Sequence, residues 1–237
     1  MKRFYKEVQV QTCGSGCVIE LDYCPILTPG KNKLILPNRR LADSVAAEWA
    51  RQGEKIQPNT MPFMSFSSTA IDRIQPNPNA VVISITEFTK TDLLCYRADD
   101  PKELIDRQNL LWQPLVDWCS ALVGHSFKVT TGIIPIEQTS ELIQAMGSLI
   151  QVYDEFFLII LHQLTTISGS IIIALAIVEG YMEIEEGVQA AYLDELFQIE
   201  RWGEDAEASL RIANMREEML EVGSFLGLVS SQHPTKS

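Results

Sequence analysis

The chain has 237 residues, 46% hydrophobic and 21% charged, with 19 Lys and Arg against 31 Asp and Glu for a formal net charge of -12. That acidity excludes the basic footprint of a nucleic-acid binder, and the apolar content with only 13 Gly and 11 Pro excludes a disordered or fibrous chain. Five Cys, odd in number and irregular in spacing, read as reduced thiols rather than a secreted disulfide framework.

Three short segments open the chain: RFYKEVQVQT, CVIELDY and KLILP. Their period-two alternation and β-branched content, broken by CGSGC and CPILTPGKN, predict a small antiparallel β domain over residues 1–37. From residue 38 the pattern becomes helical, and a helical domain is expected over 38–228, with a disordered tail at 229–237. In NRRLADSVAAEWARQG, Leu41, Val45 and Trp49 fall on one helical face, Asn38 is placed as N-cap and Gly53 as the stop. A Pro-rich connection follows, with a short helix around Ser67 to Ile74. NAVVISITEFTKTDLLCYRA reads as one helix. In the next, Asp100 caps, Pro101 takes the first helical position, and Pro114 is expected to kink the helix near Leu110 and Leu111. Helices are predicted at about 139–151, 153–167, 170–180, 184–200 and 204–226. The fold class is therefore α+β.

The apolar stretch from Phe156 to Val178 is 23 residues, nominally enough to span a bilayer. It is interrupted by His162, Gln163, Thr165, Thr166 and a Ser168-Gly169-Ser170 break, and it lacks Lys or Arg flanks. Two buried helices meeting at a turn is the favoured reading, with a membrane-associated subunit as an alternative. The start of the chain has neither a signal-peptide core nor the composition of a transit peptide.

Catalytic motifs are mostly absent. No phosphate loop, metalloprotease helix or nucleophile elbow occurs, and CGSGC lacks the third Gly of a dinucleotide fingerprint. Cys13 and Cys17 have the spacing of half a zinc site, but no second pair exists, so no metal and no cofactor are expected. His162 reads as a satisfied core histidine. A small acid/base hydrolase using C-terminal carboxylates remains the enzymatic alternative, because carboxylates abound there.

Between Glu179 and Glu221 thirteen acids stand against three bases, a net -10, while the rest of the chain carries only -2. Most of these acids read as the solvated faces of amphipathic helices. The segment YLDELFQIERWGEDAEASLRIANMREEM differs, because it mixes Phe197, Trp202 and Gly203 with the acids. One reading is an interhelical corner with a packing Trp. The other is an acidic, aromatic docking surface, since aromatics ringed by charge are typical of binding hot spots.

Three ordered blocks then carry a resemblance. LPNRRLADSVAAEWARQGEKIQPNTMPFMSFSSTAID, TDLLCYRADDPKELIDRQNLLWQPLVDW and ELFQIERWGEDAEA together resemble the ATP-twelve family of F-type ATP synthase assembly chaperones, over about residues 3–221. The resemblance implies an N-terminal β domain followed by a helical domain. It also implies a chaperone, not an enzyme, that binds the free alpha subunit, prevents its aggregation and shields the face that later pairs with the beta subunit. Carried over residue by residue, Asp194, Glu195, Phe197, Gln198, Trp202 and Glu204 become the candidate partner-binding residues, and Glu48, Trp49, Asp72 and Gly203 structural ones. The chain departs from the family at Asp22 to Pro25, where members usually read Asp-Gly-Arg-Pro, and at Phe63 and Met64, where they usually read Leu-Thr. The expected state is a monomer when free, with no nucleic acid partner and no membrane span. With Met1 directly before the first strand the expected setting is a bacterial cytoplasm, or a mitochondrial matrix for a processed form.

Overall fold

The computed structural model describes residues 1–132, 135–203 and 206–230. They divide into two compact units. The first holds Met1–Pro78, Asp154–Ile159 and the chain end from Ser224; the second holds Asn79–Tyr153 and Ile160–Gly223.

In the first unit, β1 (Val8–Cys13) and β2 (Gly16–Leu21) form an antiparallel hairpin closed by the Cys13–Gly16 pair, and β3 (Cys24–Pro25) joins the far edge of β2. Alternation in β2 buries Cys17, Ile19 and Leu21 on one face. The KLILP segment is a strap rather than the third strand. Leu34 and Leu36 are buried, and Leu36 exchanges backbone hydrogen bonds with Cys17 at 2.9 and 2.8 Å. This close pass explains Gly16: a Cβ there would lie 2.3 Å from the Leu36 carbonyl oxygen.

Helix α1 (Arg39–Ala50) packs on β1 and β2. Asn38 caps it as expected, accepting from the Leu41 backbone N–H at 2.9 Å. The buried stripe is Leu41, Ala42, Val45 and Glu48, so Glu48 takes the inner position and Trp49 is half-buried beside it. A carboxylate only 2% exposed needs partners. Glu48 finds them at the start of α2 (Pro62–Thr69), accepting from the backbone N–H groups of Phe63 and Met64 at 2.8 Å each. It thereby fills the free donors and positive end of that helix. A π-helical turn (Ala70–Ile74) extends α2. Phe63 and Phe66 lie against Phe225, with ring centroids 6.2 and 5.2 Å away.

In the second unit, α3 (Pro78–Glu87) stops where a longer helix was expected. The chain continues as two 3-10 turns, then as β4 (Tyr96–Arg97), parallel to β5 (Thr130–Thr131). Helix α4 (Lys102–Val123) starts at Lys102, with Pro101 in the capping position and no side-chain cap, so Asp100 does not serve. It continues as one helix through Pro114. Pro114 and Leu110, whose carbonyl loses its i+4 donor, lie on the exposed side where water can replace the bond.

Helices α5 (Ser140–Ile150), α6 (Glu155–Ser168) and α7 (Ile171–Val178) follow. No described helix is long and apolar enough to cross a membrane. The apolar stretch folds instead into α6 and α7, turning at Gly169 with φ +69°, as the Ser-Gly-Ser break predicts. Every side chain from Ile171 to Ile177 is buried. The expected helix over 184–200 is two, α8 (Ile184–Ala191) and α9 (Leu193–Trp202), separated at buried Tyr192, whose hydroxyl donates to the Ile167 carbonyl at 3.0 Å. Helix α10 (Ala206–Val229) closes the described chain. Residues 231–237 of the tail expected to be disordered lie outside the described residues. Around the centre, α4 packs against α5, α7 and α9, and α7 against α8.

Asp92 is fully buried at the α6–α7 corner. It accepts from the Ser170 hydroxyl at 2.9 Å, the Leu94 N–H at 2.9 Å and the Ile172 N–H at 3.1 Å. Burial pushes its carboxyl up to about 6, against the lowering effect of these donors. Two predictions follow the two buried carboxylates. Glu48→Ala should lower unfolding free energy by about 3 kcal/mol in urea titrations, because two helix N–H groups lose a charged acceptor. Carbon-13 NMR of the Asp92 carboxyl should titrate near 6. Because this pKa is raised on folding, the stability linked to it is complete below about 4, the unfolded value. It is lost as pH rises through 6, so ionisation of Asp92 disfavours the fold.

Candidate functional site

The acidic, aromatic segment folds as α9 and the start of α10, against α4. Its innermost residue is Phe197, 4% exposed. Two guanidinium groups cover the ring: Arg107 from α4 at 5.1 Å and Arg201 from α9 at 5.9 Å from the centroid. Each arginine also holds a carboxylate on the opposite helix. Arg107 pairs with Glu200 at 2.6 Å and Arg201 with Glu103 at 3.1 Å. Exposed pairs of this kind contribute little singly, but here they hold two cations against one aromatic ring.

Asp194 is half-buried and accepts from Gln108 Nε2 at 2.7 Å. Burial raises its carboxyl above the ordinary range, while the Gln108 bond and the Arg97 charge act the other way. Gln108 is itself fully buried and accepts from the Ala98 N–H at 2.8 Å, and Arg97 lies over the Trp112 ring at 5.4 Å. Trp112 donates from its indole to the Ala190 carbonyl at 2.8 Å. Asp194 is therefore the outer member of a chain of buried contacts that fixes α9 on α4.

Glu195 keeps a more open side chain, with Arg211 of α10 at 3.9 Å. Gln198 is exposed. Trp202 is 71% exposed, with the Arg201 guanidinium near its ring at 5.8 Å, and Leu210 on α10 is 62% exposed. Gly203 has φ +95°, a turn that lets the chain leave α9 at once. Glu204 lies outside the described residues. The structure thus brings Asp194, Glu195, Phe197, Gln198 and Trp202 onto one short helix. Their supports on α4, Arg107 and Gln108, went unrecognised in the sequence, where RQN looks like an ordinary polar turn.

Glu48, Trp49 and Asp72 stand together in the first unit. Trp49 meets the Tyr5 ring edge-on at 5.7 Å, and its carbonyl accepts from the Tyr5 hydroxyl at 2.7 Å. Asp72 accepts from the Thr28 hydroxyl at 2.5 Å, the Gly30 N–H at 2.7 Å and Asn32 Nδ2 at 2.8 Å. Partial burial would raise its carboxyl, but these bonds hold it below the usual range. All five Cys are free thiols, and among the described residues no group of three or more His, Cys, Asp or Glu is placed to hold a metal.

If Phe197 is the packing anchor and Trp202 a surface side chain, truncation separates them. Phe197→Ala should cost about 3 kcal/mol in denaturant unfolding, whereas Trp202→Ala should stay within about 0.5 kcal/mol.

Comparison with known proteins places this architecture. Residues 2–120 match the family described as ATP12 chaperone protein. Protein atp12, mitochondrial, of Schizosaccharomyces pombe is 25% identical over 219 residues, which span 86% of this chain and 75% of the yeast protein. The crystal structure of Atp12 from Paracoccus denitrificans superposes with a TM-score of 0.91 at 35% identity, covering 96% of this chain and 98% of that one. The Atu1473 protein of Agrobacterium tumefaciens superposes with a TM-score of 0.88 at 39% identity, covering 95% and 85%. With a family match over half its length and these structures over nearly all of it, the chain belongs to the ATP12 family of ATP synthase assembly chaperones.

Proposed function

We propose that this chaperone binds the free alpha subunit of the F-type ATP synthase catalytic sector, prevents its aggregation and leaves when the beta subunit takes its place. The observation that carries the reading is the α9 surface, where exposed Trp202 and Gln198 stand beside Glu195 on a helix locked to α4. An exposed aromatic on a preorganised base is the economical form of a hot spot, because little side-chain freedom is lost on binding. Unassembled subunits expose apolar surface and strand edges that aggregate. A chaperone needs to cover that surface only until the proper neighbour competes for it, and this requires no catalytic centre.

The same reasoning supports a protein without enzymatic activity, nucleotide or metal, monomeric when free. Asp72, the carboxylate beside the cavity of the first unit, already accepts three hydrogen bonds, which leaves it poorly suited to acid/base work. The higher identity to the two bacterial chains than to the mitochondrial yeast protein supports a bacterial cytoplasmic setting.

The decisive experiment mixes the purified protein with unassembled alpha subunit and follows light scattering and gel filtration. Suppressed aggregation and a co-eluting complex are expected; unaffected aggregation with no complex refutes the partner. Glu195→Lys should weaken that complex about tenfold or more while circular dichroism and melting stay unchanged. Unaltered affinity in the folded variant would remove Glu195 from the contact surface.

A further inference from the structure

Leu110, Pro114, Trp118 and Leu122 follow one another at intervals of four along α4 and form a single row. At about 1.5 Å per residue the row is about 18 Å long. A helix face turned to water ordinarily carries polar side chains. Here Leu110 is 81% and Leu122 41% exposed, Pro114 is exposed and Trp118 half-buried. Tyr181, 48% exposed, stacks on Trp118 with ring centroids 4.7 Å apart and an interplanar angle of 16°, so the row widens there into an aromatic platform. Contiguous exposed apolar surface marks a place of contact, and rows four apart are the ridges with which helices pack. The charge around the row is one-sided. Asp117 accepts from Gln113 Nε2 at 2.8 Å and Glu179 from the Tyr153 hydroxyl, both neutral donors, and among the described residues neither carboxylate forms an ion pair. Pro114 has no N–H, so the Leu110 carbonyl lacks its helical donor as well. The two cations of α4 are already engaged, Lys102 by Asp106 and Arg107 by Glu200 and the Phe197 ring. The chain has no Lys or Arg at all from residue 129 to residue 200, the stretch that supplies Glu179 and Tyr181. Stacked aromatic rings, unpaired carboxylates and an open carbonyl all favour the same visitor, a guanidinium or ammonium group on an apolar body.

We propose that this row docks a basic amphipathic helix of a client polypeptide. Apolar side chains of that helix lie against Leu110, Pro114 and Leu122, an arginine lies over the Tyr181–Trp118 stack, and its basic side chains meet Asp117 and Glu179. A second copy of this chain fits poorly, because a two-fold contact would set the same unpaired acids against themselves. A small molecule would leave most of a row about 18 Å long uncovered. The inference rests on the chaperone reading only for the source of the helix, and it gives the client a contact separate from Trp202.

The test uses the full chain labelled with nitrogen-15, with each of the four Trp indole signals assigned by single Trp→Phe replacement. The probe is a blocked, alanine-based helical peptide with three leucines four residues apart and an arginine following each. One control replaces the arginines by glutamate, the other the leucines by glutamine. The probe should shift the Trp118 indole signal saturably, with a dissociation constant on the order of 100 µM. Both controls should bind about tenfold more weakly, and the Trp202 signal should stay in place. Leu110→Gln, at an exposed position and with a residue that helices accept, should weaken the probe about fivefold. Asp117→Lys should weaken it about tenfold and strengthen the glutamate control. Circular dichroism checks that both surface variants stay folded. A silent Trp118 signal, equal response to either control, or affinity unchanged in the folded variants overturns the site. So does equal saturation by argininamide, which marks a small-cation site, or a Trp118 shift on concentrating the protein alone, which marks self-association. No ATP synthase subunit enters the experiment, so its failure is separate from failure of the alpha-subunit reading.

Discussion

The second unit depends on how α7 can be buried. All of its side chains from Ile171 to Ile177 are out of solvent, so no water reaches the free N–H groups of its first turn. A buried helix start without partners would be strongly destabilising. Asp92, arriving from another part of the chain, accepts from the Ile172 N–H and the Ser170 hydroxyl, while the Ser170 oxygen accepts from the Ile173 N–H. That single carboxylate lets a fully apolar helix sit at the centre, and α4 and α8 can then pack around it. Its raised pKa is the cost of placing a charge where water is absent.

The first unit solves the same problem with Glu48. Again a buried carboxylate meets the start of a helix, and again the acid lies far from that helix in sequence. Two of the acids in this chain thus serve folding rather than surface charge. Asp194 is a third, less buried, tied to Gln108. The strong acidity of the C-terminal region is also offset locally, since Arg107, Arg211 and Arg216 lie against Glu200, Glu195 and Glu185. What α9 presents outward is therefore chiefly Trp202 and Gln198 beside a partly balanced acidic rim.

The partition of charge has a consequence for binding. Residues 1–78 of one unit hold ten bases against seven acids, a net +3, while the acidic helices α8 and α9 lie in the other. Electrostatics of opposite sign suit different partner surfaces and act mainly on encounter rate and specificity.

Much of this protein is readable from local pattern alone. Alternation marks the β1–β2 hairpin, Asn38 marks the start of α1, and the Ser168-Gly169-Ser170 break turns an apparent membrane span into α6 and α7. The three sequence blocks carry the family, because ordered motifs at fixed spacing survive where single positions drift. Tertiary structure alone decided the rest. Whether Glu48 or Trp49 faces inward depends on helix N–H groups 15 and 16 residues from Glu48, and periodicity cannot weigh a distant N–H against an indole. Tyr192 divides 184–200 because its hydroxyl reaches Ile167, a contact with no local signature. Asp194 and Glu195 are neighbours with equal claims in the sequence, yet one is a strut and the other an open side chain. Helical rotation and the position of Gln108 separate them, and both are properties of the packed molecule.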